Sequence, residues 1–301
     1  MSHISQEIKI LSKKWRESVI ENDGQISITT SGENYRLLRN GLHFHTFDLE
    51  DTQTACKELI NMFVGSEDHY YFIAWAAELV HCFEYFSSEE FNISELFFTC
   101  VRASLSRLSH PLAEENSNYI NNAEYNGQQL TWKSQLIFCH LSFPLLEAVV
   151  KKHCKEYVDY NGNVLKDFTV CSRRYRVNPT NSLESNKISN LKHLLHLLNY
   201  VVADSGLKNE LKEMKKIIKS TPGNNQDPYH LIHSWRNSSL HGSESIGMSR
   251  IILHLVILIA IEDIKNKSDV FMPYVKQKVT KRLDNQLYRF QRSPWEYYPP
   301  Y

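Results

Sequence analysis

The sequence predicts a mainly α-helical protein built from two domains. Apolar residues recur at spacings of three and four in several long segments, which is typical of amphipathic helices. A polar stretch over residues 114–129, rich in Asn, Glu and Gln, has almost nothing to bury and separates two groups of such segments. A chain of 301 residues is long enough for two hydrophobic cores.

Residues 1–113 are expected to form a mostly helical N-terminal domain of unidentified role. Aromatic residues are concentrated here, and at helical spacing they are expected in the core rather than on a base-stacking surface. Alternating apolar and polar residues between 26 and 47 predict a small β ribbon. Helices are expected over residues 4–20, from a cap at Asp51 to about 64, and over 70–86 and 94–108.

Residues 131–267 are expected to form a helical bundle, followed by a basic and aromatic C-terminal extension over residues 268–301. The run Ile251–Ile261 is apolar on nearly all sides and is expected to be the central helix. We expect the extension to dock on its own chain or on a dimer mate, because its aromatic side chains need cover. Bundle helices are expected over 131–157, 188–202, 207–219 and 246–267, with a short helical turn over 230–235.

Composition excludes several classes of protein. Lys and Arg together number 34, as do Asp and Glu, so any contact with nucleic acid has to be local. The six cysteines form no CxxC pair and no secretory segment is recognised at the start, so a cytoplasmic location is expected. The longest apolar run is far short of the ~20 residues that cross a bilayer, and no phosphate-binding or nucleophile motif is present. We therefore expect no membrane association and no cofactor.

The chemistry is expected at residues 235–242, between two apolar helical patterns, where a short polar bend is predicted. Arg236 is a permanent planar cation suited to phosphate oxygens, and histidine changes charge near neutral pH, so His241 could transfer a proton. On one uninterrupted helix the two side chains would point about 140° apart. Either the helix ends here, with Gly242 as a left-handed terminator, or two copies of the motif meet across a dimer axis.

The segment Arg236-Asn237-Ser238-Ser239-Leu240-His241 resembles the signature of the HEPN superfamily of helical, metal-independent ribonucleases. The resemblance implies a homodimer with facing motifs, no metal, and RNA cleavage to 2′,3′-cyclic phosphate and 5′-hydroxyl ends. It implies that Arg236 holds the phosphate, that His241 carries the proton, and that Asn237 fixes the arginine or contacts the phosphate, with Ser238 in support. It also implies a toxin or defence role, with an antitoxin or regulatory protein as a partner. The pairs Arg36 and His43, and Arg39 and His45, have looser spacings and no helical context, and rank below it.

Glu147 is a carboxylate within an apolar helix face formed by Leu145, Leu146, Val149 and Val150. Such a group is costly to bury unless it is paired, so we expect it to meet a cation from another helix. Two interpretations remain open at this stage. Glu147 either orients Arg236 or His241, or lies at the edge of the face and reaches water.

Arg173, Arg174 and Arg176 surround Tyr175 and form the densest local group of cations with an aromatic inside it. Together with Lys192 they are candidate RNA-binding residues, because cations hold phosphates and aromatic rings stack on bases. The alternative is ordinary solvated surface charge.

Histidines three residues apart, at 193 and 196 and at 230 and 233, could in principle hold a divalent ion, but no metal-binding signature supports a site and none is expected. Our first hypothesis is therefore an endoribonuclease of the HEPN type. The alternative is a non-catalytic module of the same fold that binds RNA, a nucleotide or a protein. A third hypothesis is a helical scaffold in which the Arg and His spacing is coincidental.

Overall fold

The computed structural model describes residues 2–21, 32–62, 67–105, 134–220, 226–241, 246–265 and 271–284. These residues are mainly helical, which confirms the predicted fold class. The chain divides into two compact units. The first unit is residues 1–138 with 257–301, and the second unit is residues 139–256. The polar stretch 114–129, Gly242 and the aromatic end of the chain lie outside the described residues.

The described residues of the first unit contain five complete α-helices, four 3₁₀ turns and parts of two longer α-helices. The complete helices are α1 (His3–Glu21), α2 (Leu49–Asn61), α3 (Glu67–Cys82), α4 (Phe91–Leu105) and α10 (Met272–Asp284). Helix α2 begins earlier than predicted, because Asp48 is its cap and accepts a hydrogen bond from the Asp51 backbone N–H. The Asp51 side chain is instead buried and accepts a hydrogen bond from Ser5 of α1. Asp51, which the sequence suggested as the helix cap, therefore contacts α1 instead of capping α2.

The predicted N-terminal β ribbon is wrong for the residues that can be described. Residues 44–46 form a 3₁₀ turn, which buries Phe44 and Phe47 while leaving His43 and Thr46 exposed. Phe44 and Phe47 are three residues apart, which is the period of a 3₁₀ turn rather than the alternation of a strand, and the described part of the first unit contains no strand. Residues 22–31 are outside the described ranges.

The described part of the C-terminal extension docks on its own chain. The carboxylate of Glu78 on α3 is buried. Its Oε1 forms ion pairs with two side chains of α10, the Lys278 ammonium at 3.2 Å and Arg282 Nη2 at 2.7 Å. The Lys276 ammonium also donates to the Thr46 carbonyl. Breaking such a buried pair would leave an uncompensated charge, so these contacts fix α10 against α3.

A small sheet lies in the second unit, in a segment that the sequence suggested was only a connection. Strand β1 (Phe168–Val170) pairs antiparallel with β2 (Arg173–Tyr175), and β2 pairs parallel with β3 (Glu184–Ser185). Cys171 and Ser172 join β1 to β2 with φ of 50° and 61°. Two residues at positive φ match the tight hairpin turn whose twist suits paired strands, although Cys and Ser are not its usual residues.

The helices of the second unit follow the predicted pattern, except that the short turn predicted over 230–235 is a full helix, Pro228–Leu240. They are α5 (Ser134–His153), α6 (Leu191–Leu197) continuing as a π-helical turn (Leu198–Val202), α7 (Ser205–Lys219), α8 (Pro228–Leu240) and α9 (Ile246–Lys265). Asn190, Asp204 and Asp227 cap α6, α7 and α8 by accepting backbone N–H groups. Helices α5 and α9 each run from one unit into the other. Residues 251–261 of α9 are all buried, as expected of a central helix.

Among the residues that the structure describes, every helix is too short or too polar to span a lipid bilayer.

Candidate functional site

Helix α8 carries the Arg and His motif, and the helix ends where the motif ends, at His241. Asp227 and Pro228 start the helix, and buried Trp235 anchors it one residue before Arg236. The helix runs on to Leu240 and His241 is its C-terminal cap, with its backbone N–H directed at the Asn237 and Ser238 carbonyls. The predicted end of the helix is therefore confirmed. The predicted bend is not, because Arg236 itself lies in regular helix.

Glu147 on α5 meets Arg236 across the second unit. Its Oε2 accepts from Arg236 Nη2 at 3.4 Å, and its Oε1 lies 2.8 Å from the Lys151 ammonium one turn further along α5. The expectation that Glu147 pairs with a cation from another helix is confirmed. A single carboxylate between two cations leaves a net positive charge, which favours an anionic ligand.

A cavity of about 360 Å³ opens beside this cluster. Lys151 also donates to the Tyr160 carbonyl at 3.0 Å, so its ammonium is committed to the protein. Arg236 makes no other hydrogen bond to a described residue than its long contact with Glu147. Since a guanidinium has five N–H donors, Arg236 keeps donors for a ligand in the cavity. The lining residues are His140, Phe143, Pro144, Glu147, Ala148, Lys151, Tyr160, Arg236, Ser239 and Leu240.

The other motif residues lie outside this cavity. His241 is exposed and does not line it, and Asn237 and Ser238 are exposed on α8. The Asn237 amide nitrogen is 3.4 Å from His233 Nε2, one turn earlier, rather than against the guanidinium. Ser239, which the sequence did not single out, is buried and donates to the Cys139 carbonyl at 3.0 Å, which ties α8 to α5.

Arg173 and Arg176, two of the three arginines around Tyr175, do not lie on one surface. Arg176 is paired with Asp167 at 2.6 Å and with Glu184 at 3.7 Å. Hydrogen bonds from the Val177 N–H and from Arg176 lower the pKa of Asp167, so that carboxyl stays charged beside the arginine. Arg173 instead lies 5.7 Å from the ring centre of Tyr175, on the other side of the strand. Two carboxylates therefore neutralise Arg176, whereas Arg173 lies against the Tyr175 ring.

Histidines 193, 196 and 233 lie in partly buried positions near these cations. Burial is the largest cause that lowers the pKa of each, and for His193 the charges of Arg173 and Lys192 add to it. His193 Nδ1 is 2.6 Å from the Tyr175 hydroxyl, and the His196 ring stacks on Tyr200. Within the described ranges no group of three His, Cys, Asp or Glu residues is arranged to hold a metal ion.

Among the cavity residues that the sequence analysis missed, His140 and Lys151 carry ionisable side chains. His140 and Lys151 lie on α5 with Pro144 and Glu147, and their spacings of four, three and four place all four on one side of the helix. The helical spacing of His140, Glu147 and Lys151 could have predicted that they lie together. It was overlooked because the apolar face of this helix drew attention only to Glu147, which stands among consecutive apolar residues.

Comparison of the chain with protein-family models, with curated proteins and with solved structures finds no match.

Proposed function

We propose that this protein is a metal-independent endoribonuclease of the HEPN type. The observation that carries the proposal is the Arg236 guanidinium, held by Glu147 at a cavity with most of its donors unused. The motif resemblance supplies the reaction class. A planar cation with free donors beside a concave surface is what phosphate binding requires.

The reaction needs little more than proton transfer and charge stabilisation, because RNA brings its own nucleophile. The 2′-hydroxyl loses its proton to a base as its oxygen bonds to phosphorus. The bond from phosphorus to the 5′-oxygen then breaks, and that oxygen takes a proton from an acid. Arg236 stabilises the negative charge that develops on the phosphate oxygens. His241 carries a proton in this scheme, and Asn237 contacts the phosphate.

We further propose that the site is shared between two copies of the chain. His241 does not line the Arg236 cavity of its own chain, whereas an isologous dimer would let His241 of one copy face Arg236 of the other. Leu240, between the two motif positions, is 62% exposed and offers apolar area for such a contact. His140, which does line the cavity, is the alternative proton carrier within one chain.

Purified wild type and Arg236→Ala, His241→Ala and His140→Ala variants, incubated with labelled RNA in EDTA, test the proposal. We expect cyclic-phosphate ends from wild type and none from Arg236→Ala or His241→Ala. A mixture of these two inactive variants should recover about a quarter of the activity, because half the dimers are mixed and each has one intact site. Loss of activity in His140→Ala alone, with His241→Ala active, would place the proton carrier in the cavity and refute the shared site.

The second candidate is a non-catalytic module that binds RNA, a nucleotide or a protein. The separation of His241 from the Arg236 cavity favours it. It predicts binding without cleavage by any variant. The ribonuclease proposal includes a toxin or defence role in the cytoplasm, with an antitoxin or regulatory protein as partner. This role predicts that expression is toxic and that Arg236→Ala relieves the toxicity.

A further inference from the structure

A second concave surface of the second unit carries an excess of positive charge. We call it the lysine groove, and its volume is about 670 Å³. Helix α7 forms one side of it. Leu207, Leu211, Met214 and Ile218 are the buried face of this helix, and an adjacent stripe of lysines faces the groove. The charged residues that line it are Lys208, Lys212, Lys215, Lys216, Lys219 and Asp227.

Three of these lysines have no anionic partner among the described residues. Lys215 pairs with Asp227 at 3.5 Å, and Lys216 pairs with Glu213 at 2.7 Å. Lys208, Lys212 and Lys219 form no ion pair with any residue that the structure describes. They span eleven positions of α7, or about 16 Å at the helical rise. A row of unpaired cations of this length suits a ligand with several anionic groups rather than a single anion.

Tyr200 provides an aromatic surface in the same groove. The π-helical turn buries Leu198 and Asn199 and leaves Tyr200 55% exposed. The His196 ring stacks on Tyr200 with its centre 5.3 Å away, which supports one face. The Lys215 ammonium is 3.2 Å from the hydroxyl but 5.6 Å from the ring centre, so it lies at the hydroxyl end. Of the residues described, none stacks on the second face of Tyr200. Short π-helical turns are frequent at functional sites.

Asn199 adds a polar group to this surface. The residue is 5% exposed and lines the groove, and its side-chain amide makes no hydrogen bond to a described residue. The amide is not one of the fully enclosed polar groups that lack a partner, so it is open to a ligand in the groove. An amide is both donor and acceptor, and can therefore bond to the edge of a base.

The position and charge of the groove relate it to the Arg236 cavity. Asp227, at the groove, caps α8 nine residues before Arg236, which is about 13 Å along the helix. Burial is the largest cause that lowers the pKa of His196 and of His233. The charge of Asp227 at the groove raises the pKa of His196, and the charge of Arg236 lowers the pKa of His233. The second unit as a whole has 16 Lys and Arg against 10 Asp and Glu, a net charge of +6.

We propose that the lysine groove binds a segment of single-stranded RNA, with its phosphates on the three unpaired lysines and a base stacked on Tyr200. A flat ring beside a cationic row is the usual arrangement for single strands, whereas in a duplex the bases are already stacked and enclosed. An acidic peptide would use the lysines but would leave Tyr200 and Asn199 without a matching group. The identity of the strand as RNA rests on the proposed function, but binding does not require cleavage.

Fluorescence anisotropy with a labelled 2′-O-methyl oligonucleotide tests the proposal on the full chain, since this probe has no 2′-hydroxyl and cannot be cleaved. We expect K208Q/K212Q/K219Q to weaken binding at least tenfold. The slope of log affinity against log salt should fall by about 2, because each phosphate that a lysine neutralises adds about 0.7 to it. The matched control K155Q/K166Q/K187Q replaces three exposed lysines of the same unit outside the groove, and should change affinity by less than twofold. Equal effects of the two triple variants would overturn the proposal.

Tyr200 separates single-strand recognition from simple charge attraction. Tyr200→Ala should weaken binding about fivefold or more, as expected for loss of one stacked base, while Tyr200→Phe should bind as wild type. Three results would each refute single-strand recognition by the groove. They are unchanged binding by Tyr200→Ala, equal affinity for a duplex of the same length, and displacement of the strand by polyglutamate at an equal charge concentration. If the oligonucleotide binds as expected but no RNA is ever cleaved, the groove stands and the ribonuclease fails. If RNA is cleaved but the groove variants bind and cleave as wild type, the ribonuclease proposal stands and the groove proposal fails.

Discussion

Replacement of Glu147 by Gln removes the charge that holds Arg236 and leaves the shape of the side chain almost unchanged. Glu147 lies between Arg236 at 3.4 Å and Lys151 at 2.8 Å, and these side chains are 19%, 27% and 11% exposed. The substitution leaves two cations near each other at the cavity without an anion between them. We expect both the stability of the fold and the position of Arg236 to suffer.

The size of the effect follows from partial burial. Exposed ion pairs contribute at most about 1 kcal/mol, whereas breaking a fully buried pair costs about 3 to 5 kcal/mol. The Glu147 cluster lies between these limits and has one good contact and one long one, so we expect a loss of about 2 kcal/mol in the free energy of unfolding. An amide can still accept from one cation, which keeps the loss below the upper limit.

Urea unfolding and RNA cleavage measure the two consequences. Glu213→Gln is the matched control, because Glu213 pairs with Lys216 at 2.7 Å but both side chains are about half exposed or more, and it should cost less than about 0.5 kcal/mol. In cleavage, a mispositioned Arg236 should lower kcat about tenfold or more, since catalysis depends on orientation. The freed guanidinium should leave KM unchanged or reduce it. A free energy of unfolding and a kcat equal to those of wild type would refute the positioning role of Glu147.

The remaining predictions concern buried polar groups of the second unit. Ser239→Ala should lower the free energy of unfolding by about 1 kcal/mol, because it removes the buried hydrogen bond that joins α8 to the Cys139 carbonyl of α5; an unchanged urea midpoint would contradict this. Burial lowers the pKa of histidines 193, 196 and 233, so these groups bind protons more readily in the unfolded chain. Their contribution to stability is therefore complete above about pH 6.5 and is lost as the pH falls below it. A His233→Asn variant should lose less stability than wild type between pH 7 and pH 5.5, and an identical loss would show that this histidine does not contribute.

The sequence predicted helices well where apolar spacing is long and regular. Helix α9 is the clearest case, because a run that is apolar on all sides has to be buried. Helix α2 was placed too late, because two aspartates compete for its cap and only tertiary contact with α1 decides between them. The sheet was missed because its strands are two or three residues long and its turn uses Cys171 and Ser172. Strands this short carry no readable period.

For the candidate site, energetic cost was a better guide than residue type. Glu147 was expected to find a cation because an unpaired carboxylate in an apolar face is expensive, and it contacts Arg236. The three arginines beside Tyr175 are adjacent in sequence, but a strand sends alternate side chains to opposite faces, and Arg176 meets Asp167 and Glu184. Adjacency along a chain therefore said little about whether their charges would combine.

Equal numbers of acidic and basic residues suggested that any RNA contact had to be confined to a small area. The division into units changes this argument. The second unit carries a net charge of +6, so the first unit, with 18 Lys and Arg against 24 Asp and Glu, carries −6. Because charges beyond about 10 Å are screened at ordinary ionic strength, a bound strand responds to the unit it touches rather than to the average of the chain. Neutral composition is therefore compatible with strong local attraction for RNA. The same reasoning places the salt dependence of binding in the second unit, where the lysine groove and Arg236 both lie.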